Sequence, residues 1–419
     1  MISALAEVPT GIEADGEWDV LTAGDMIEGR YNHTTNLIPG QDKVIAVGGT
    51  SDGYGSLSSA EIFDRESLSW RSASSMSSPR MRHTTDEIDP GRIIVIGGFL
   101  GGTAAAHPSL FKHFKNTGSI SYSSTEIYDA FQDRWIPGPE LNIGRFWHST
   151  AALPDGDIIV VGGINATEGA LAECEIYDRS LGKFIPAAPM NVARTRFTIN
   201  VLADGTILVA GGHNGLSKSP YDSCELYIPG EDRWITASSM NRHRGYHSSA
   251  LLPDGRVMVS GGFSSPTTSD WTDSEIYDPS DGEWTMAGNM AYPRHNHISM
   301  MGWDGALLVI GGSNCETGMC HSGIEKFHLE SGEWSDTELL IIGRKWCRAD
   351  MLPGGDVLVS GGKACNYPEA STELLTYNFQ GDREGSDDGG GNGRTYVLVI
   401  FLAISFIMVN ILVKSHIRK

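Results

Sequence analysis

Cysteine is scarce in these 419 residues, at six, and basic side chains are few: 31 Lys and Arg stand against 52 Asp and Glu, a formal charge of −21. The tail from Arg394 contributes four of the basic residues and no acid, so the preceding 393 residues carry a net −25. So acidic a surface is repelled by phosphate backbones and by anionic lipid headgroups, which excludes nucleic-acid binding. No H-E-x-x-H and no C-x-x-C occurs. The many Gly-Gly pairs close apolar runs rather than open helices, so they cradle no phosphate. Asp-Gly pairs at Asp155, Asp204, Asp254 and Asp304 lack the alternating acids of a calcium loop and read as turns. Residues 1–17 also lack the basic start and the apolar stretch of ~7–15 residues that make a complete signal peptide. Only Ala4-Leu5-Ala6 matches the cleavage end of one, so this segment is expected to be the remnant of a signal peptide that starts upstream.

What the chain does contain is repetition. Arg244–Met290 reads as four short strands: Ser249–Leu252, Arg256–Ser260, Glu275–Tyr277 and a last one opened by Trp284, with turn signals at Pro253-Asp254-Gly255 and Pro279–Gly282. One such sheet cannot bury both of its faces and needs copies. Gly-Gly pairs begin at Gly48, Gly97, Gly162, Gly211, Gly261, Gly311 and Gly361, at steps of 49, 65, 49, 50, 50 and 50 residues. An aromatic opens the last strand of six units: Trp70, Trp135, Phe184, Trp234, Trp284 and Trp334. The seventh unit has none, whereas an orphan strand lies at Trp18–Met26. That strand is expected to complete the last sheet and close a ring. The Trp series reads as core between neighbouring sheets.

The strings RGYHSSALLPDGRVMVSGG and SEIYDPSDGEWTMAGNM resemble kelch repeats of the prokaryotic type and the propeller of galactose oxidase, over residues 18–379. The resemblance implies an all-β, seven-bladed β-propeller of four-stranded blades. It implies no single activity, because propellers host unrelated functions.

Beyond the propeller, residues 380–394 are rich in Gly and acid and read as a flexible stalk. Residues 395–413 carry no charge, and thirteen of them are Leu, Ile, Val or Phe, which suits a transmembrane helix of about 20 residues. The basic tail, 414–419, is expected on the cytoplasmic side and the propeller outside it. The alternative is a tail-anchored protein with a cytosolic propeller. Four cysteines crowd the last two blades, and Cys315, Cys320, Cys347 and Cys365 are disulfide candidates in an oxidising compartment. Cys174 and Cys224 occupy equivalent places in adjacent blades, beyond the ~7 Å Cα reach of a bridge, and read as small buried apolar groups.

Two constellations can carry function. An arginine precedes each Gly-Gly by 17 or 18 residues: Arg30, Arg80, Arg145, Arg194, Arg244, Arg294 and Arg344. They ring one face of the channel, together with a blade-two insertion holding Phe111, Lys112, His113, Phe114 and Lys115. As a ligand ring they would take a carboxylate of a protein, peptide or glycan. Against this stand Glu61, Glu126, Glu175, Glu225, Glu275, Glu325 and Glu373, one per blade at the third strand, which match the arginines as internal ion pairs. The insertion is either a loop folded over the edge or a recognition loop. Second, His33, His83, His148, His247 and His297 follow five of the arginines. The resemblance to copper-radical oxidases implies Tyr246, His247 and His297 as copper ligands, but a histidine in five of seven blades looks like a repeat position. The expectation is a non-catalytic binding domain with no cofactor, metal or catalytic residue. A carbohydrate-active or copper-radical enzyme is the alternative.

Overall fold

The computed structural model describes residues 16–51, 55–101, 120–215, 219–265, 269–364 and 367–379. Its contacts separate Met1–Phe379 from Gln380–Lys419. The stalk, the apolar segment 395–413, the basic tail, residues 1–15, the Phe111–Lys115 cluster and Cys365 lie outside the described residues. Among the described residues no helix is long and apolar enough to cross a membrane.

Seven four-stranded antiparallel sheets follow one another among the described residues. Blade five shows the pattern: Ser248–Leu251, Val257–Ser260, Asp273–Asp278 and Glu283–Asn289 pair in that order. Second strands such as Ile158–Val161 and Leu307–Ile310 are unbroken apolar runs and are buried at every position. A continuous run is what a strand covered on both faces requires. The core therefore sits between blades. Ile159, Val161 and Cys174 of blade three pack with Ile207, Val209, Tyr227 and Trp234 of blade four. Each final-strand aromatic tilts against its partner across the hairpin, as Trp284 does on Tyr277 at 5.2 Å. The Trp284 indole nitrogen donates to the preceding blade, at the Ser238 carbonyl, over 3.1 Å. The aromatics are core, as expected.

The ring closes as the sequence predicts. Gly16–Thr22 is the outer strand of the sheet formed by Arg348–Met351, Val357–Ser360 and Thr372–Phe379. Trp18 stands opposite Tyr377, with ring centroids 5.2 Å apart, and donates to Asp304 Oδ2 of blade six at 3.0 Å. Each Gly-Gly contributes a second closure. The amide of the second glycine donates to the carbonyl of the next blade's arginine, from Gly49 to Arg80 at 2.9 Å round to Gly362 and Arg30 at 2.8 Å. The first glycine must be glycine: Gly261 has φ +57°, and a Cβ there would stand 2.4 Å from the Arg294 carbonyl oxygen.

The seven arginines have no exposed surface. Arg244 Nη1 donates to the carbonyls of Gly261 (2.8 Å) and Asp273 (3.0 Å), and its Nη2 donates to Glu275 Oε1 (2.7 Å) and Asp273 Oδ1 (2.6 Å). Glu275 accepts in turn from the amides of Asn241 and Arg242, which lead into the blade. The same clip joins Arg30 to Glu61, Arg80 to Glu126, Arg145 to Glu175, Arg194 to Glu225, Arg294 to Glu325 and Arg344 to Glu373. The ligand-ring reading of these arginines is thereby corrected in favour of the ion pairs, because enclosed guanidinium groups with filled Nη donors have nothing to offer a ligand.

Removing one partner of a buried pair leaves an uncompensated charge, a cost of about 3–5 kcal/mol. Arg244→Ala is therefore expected to lower unfolding free energy by about that amount in urea titrations. An unchanged midpoint would show that the clip is not part of the frame.

Candidate functional site

Two residues past each buried arginine the backbone turns left-handed. Asn32, Arg82, Trp147, Arg196, Tyr246, Asn296 and Trp346 all have φ between 52° and 58°. Their amides link blade to blade: Arg82 N donates to Asn32 O at 3.0 Å, Trp147 N to Arg82 O at 3.1 Å, Tyr246 N to Arg196 O at 3.3 Å, Asn296 N to Tyr246 O at 3.0 Å and Trp346 N to Asn296 O at 3.3 Å. This belt rims the mouth of the central channel, whose cavity of about 640 Å³ all seven residues line. All seven are half-buried.

The rim is cationic and aromatic. Trp147 is sandwiched by two guanidinium groups, Arg82 at 3.8 Å and Arg196 at 3.5 Å from its ring centroid, and Arg196 also lies 4.2 Å from the Tyr246 ring. Across the mouth Tyr31 stacks on Trp346 at 5.5 Å, with Lys363 over the first ring and Lys345 over the second. Among the described residues neither Arg82 nor Arg196 has a carboxylate within ion-pair distance, and the Nε of each is buried without a partner. Arg196 Nη1 reaches His213 Nε2, at 3.2 Å. Burial pushes the Arg82 guanidinium down to about 10 and lowers that of Arg196 strongly, the latter with help from Arg82. Two cations that disfavour their own charge are poised for an anion. Deeper along the first strands, burial raises Asp86 and Asp350 to about 6.

Four of the five repeat histidines bond the preceding blade, whereas both ring nitrogens of His33 are buried without a partner. His83 Nε2 meets Thr34 Oγ1 of the preceding blade at 2.9 Å, His148 meets Thr84 at 3.0 Å, His247 meets Thr198 at 3.0 Å and His297 meets Ser260 at 3.0 Å. At the copper set that the resemblance implies, the Nε2 of His247 and of His297 is held by a hydroxyl of the preceding blade and Tyr246 lies against Arg196, while Nδ1 of each imidazole is buried without a partner. The cysteine expectations divide. Cys174 and Cys224 are buried thiols pushed up to about 12 by burial. Cys315 and Cys347 are free thiols in this structure, and Cys320 Sγ lies 3.5 Å from the Lys363 carbonyl. The flanks of the blade-two insertion, Phe99–Leu100 and Ile120–Ser121, form a two-stranded ribbon bridged to Met81 beside the mouth.

Sequence reasoning found the arginine, histidine and glycine positions because they recur, and missed the rim because it varies. The signal was there: between an unvarying Arg and a nearly unvarying His, the middle position runs Asn, Arg, Trp, Arg, Tyr, Asn, Trp.

Comparison with known proteins agrees with this architecture. A Kelch motif model matches residues 39–77 and 200–241. Galactose oxidase of Gibberella zeae is 38% identical over 47 residues, covering 11% of this chain and 7% of that protein. Alpha-scruin of Limulus polyphemus is 32% identical over 140 residues, covering 33% of this chain and 14% of that protein. The chain thus spans a small fraction of the curated relatives it matches. A fungal alcohol oxidase of the AA5 family, solved with copper, superposes with TM-score 0.64 at 15% identity, over 86% of this chain and 76% of that one. The structure of YjhT gives TM-score 0.56 at 14% identity, over 75% and 99%. Likeness at such identities shows the fold alone.

Burial lowers His148 and His247 to about 3, aided by Arg145 and Arg244 respectively, and holds His33, His83 and His297 well below the ordinary imidazole value. Below pH ~6.5 only the unfolded imidazoles take a proton, so stability is whole above that pH and is lost as the pH falls toward about 3. Asp86 and Asp350 act oppositely between about 6 and 4 and offset part of this loss. His148→Phe, the residue that blade four carries as Phe197, is expected to shrink the acid loss by about 2–4 kcal/mol, read from urea midpoints at pH 8 and pH 4. Equal pH slopes for variant and parent would refute it.

Proposed function

We propose that this kelch-type propeller is a non-catalytic recognition domain that holds an acidic peptide segment of a partner protein at the channel mouth. The observation that carries the reading is the pair Arg82 and Arg196, half-buried at the mouth and without a carboxylate of their own among the described residues. Guanidinium groups take carboxylates in paired hydrogen bonds about twice as strong as neutral ones. A protein of net charge −21 that gathers Arg82, Arg196, Lys345 and Lys363 around one opening favours an anion there over anywhere else on its surface. The aromatic rings argue for a peptide rather than a sugar. Guanidinium groups cover Trp147 from Arg82 and Arg196, and Tyr31 and Trp346 stack on each other with Lys363 and Lys345 over them, so these rings are engaged by cations and by each other rather than held open for a pyranose.

With the full-length protein and a panel of acidic peptides and acidic oligosaccharides, calorimetry is expected to find binding to acidic peptides that weakens with salt. Arg82→Met and Arg196→Met should each weaken it by roughly 10- to 100-fold, corresponding to about 1.5–3 kcal/mol for a charged hydrogen bond. Undiminished binding by the double variant would place the ligand elsewhere.

The apolar segment 395–413 and its basic flank support a membrane-anchored form of this domain with the mouth outside the cytoplasm. Protease added to intact cells should then release the propeller. A protected propeller would reverse the orientation.

A further inference from the structure

One cluster on the channel-mouth side serves neither the frame nor the rim. The short ribbon after Gly261-Gly262 ends in Asp270, the loop entering blade six carries His295, and Cys315 follows Gly311-Gly312. A backbone bridge between His295 and Ser313 holds the imidazole beside that last loop. Asp270 Oδ2 lies 2.9 Å from His295 Nδ1, Cys315 Sγ lies 3.5 Å from the same nitrogen, and the three donor atoms fall within 4.8 Å of one another. The Cys315 amide donates to Asp270 Oδ2 at 2.6 Å, and His295 Nε2 stands 3.2 Å from Ser313 Oγ. Asp270 is 8% exposed, and its other oxygen, Oδ1, is buried with no partner.

We propose that Asp270, His295 and Cys315 bind a divalent cation of the zinc class between blades five and six. Oxygen, imidazole nitrogen and sulfur at mutual contact are the donor set that zinc takes, and three protein ligands leave one position open for water or a ligand atom. An orphaned carboxylate oxygen in a buried site is costly unless a cation answers it. Ser313 opposite Nε2 provides the outer partner that keeps that nitrogen protonated and turns Nδ1 to the metal. Binding breaks the Sγ–H bond and releases its proton to solvent, while the imidazole proton resides on Nε2. The carboxylate and the thiolate then balance the two positive charges. A nucleophilic Cys–His–Asp reading fits less well, because the thiol lies nearer to the nitrogen that the carboxylate takes (3.5 Å) than to Nε2 (3.9 Å), and Nε2 has Ser313 Oγ closer, at 3.2 Å. The His295 ring lies edge-on to the rim residue Tyr246, 6.2 Å between centroids, so an ion here would brace the mouth.

Full-length protein, reduced and stripped with a chelator, is expected to take up one zinc per chain in calorimetric titration and to melt at higher temperature with zinc present. Cobalt in place of zinc should give a thiolate charge-transfer band. Cys315→Ser should abolish that band and weaken zinc binding by at least about tenfold, whereas Cys320→Ser should leave both intact. If Cys315→Ser does not fold, loss of zinc uptake in Asp270→Asn supports the site equally. Sub-stoichiometric uptake, uptake unchanged by either ligand substitution, or a Cys315–Cys320 disulfide mapped in the unreduced protein would overturn the site.

Discussion

An arginine with no exposed surface, tied to a glutamate in the same blade, is the contact on which the remaining architecture rests. A guanidinium withdrawn from water is tolerable only when nearly all its donors are met. Arg244 shows how: two carbonyls from the ends of the second strand and the start of the third, and two carboxylates beside them. The glutamate then accepts the amides of the segment arriving from the preceding blade. Three pieces of chain that are remote in sequence are thus fixed to one point, and the point recurs in every blade. The pairs are better understood as specifying geometry than as adding net stability, since an apolar replacement of a buried pair can be equally stable.

From that point the contacts run outward to the next blade. The arginine's own carbonyl accepts from the preceding blade's Gly-Gly, the histidine three residues on reaches a hydroxyl of the blade before, and the indoles donate across the outer seam. Departures from the repeat fall where a neighbour compensates. Phe197 replaces a histidine in blade four and is buried. In blade seven Cys347 stands in the histidine's place and Arg348 in that of the threonine, and Arg348 Nε bonds the His33 carbonyl across the closure at 2.8 Å. The seam that joins the chain's two ends therefore uses a different contact from the other seams.

This division explains what could be read from the residues alone. The blade count, the borrowed strand at Trp18 and the buried role of the tryptophans follow from periodicity, since a core position must look alike in every copy. Whether seven arginines line a mouth or pair with seven glutamates could not be settled that way, because equal counts carry no distances. The rim was invisible for the opposite reason: Asn32, Arg82, Trp147 and their equivalents share a backbone conformation and nothing else. Asp270, His295 and Cys315 come from loops of unequal length, so no spacing motif joins them. A search for repeats finds the scaffold and passes over whatever distinguishes one blade from another.

The backbone of the rim gives that distinction a physical meaning. A left-handed conformation costs an ordinary residue roughly 1–2 kcal/mol, and glycine or asparagine would meet it more cheaply. Only two of the seven positions use asparagine and none uses glycine, whereas five carry Arg, Trp or Tyr. The belt of amides and carbonyls accounts for the conformation, since each of the seven residues presents its amide, its carbonyl or both to a neighbour in the ring. It does not account for the side chains. Bulky cations and aromatics kept at strained positions, around an opening whose walls are rich in threonine, are the residues that the fold has least reason to hold there. Observed strain of this kind points to use. The frame's arginines spend their Nη donors within their own blades, whereas Arg82 and Arg196 have no carboxylate at ion-pair distance among the described residues, and that contrast is what the proposed binding role rests on.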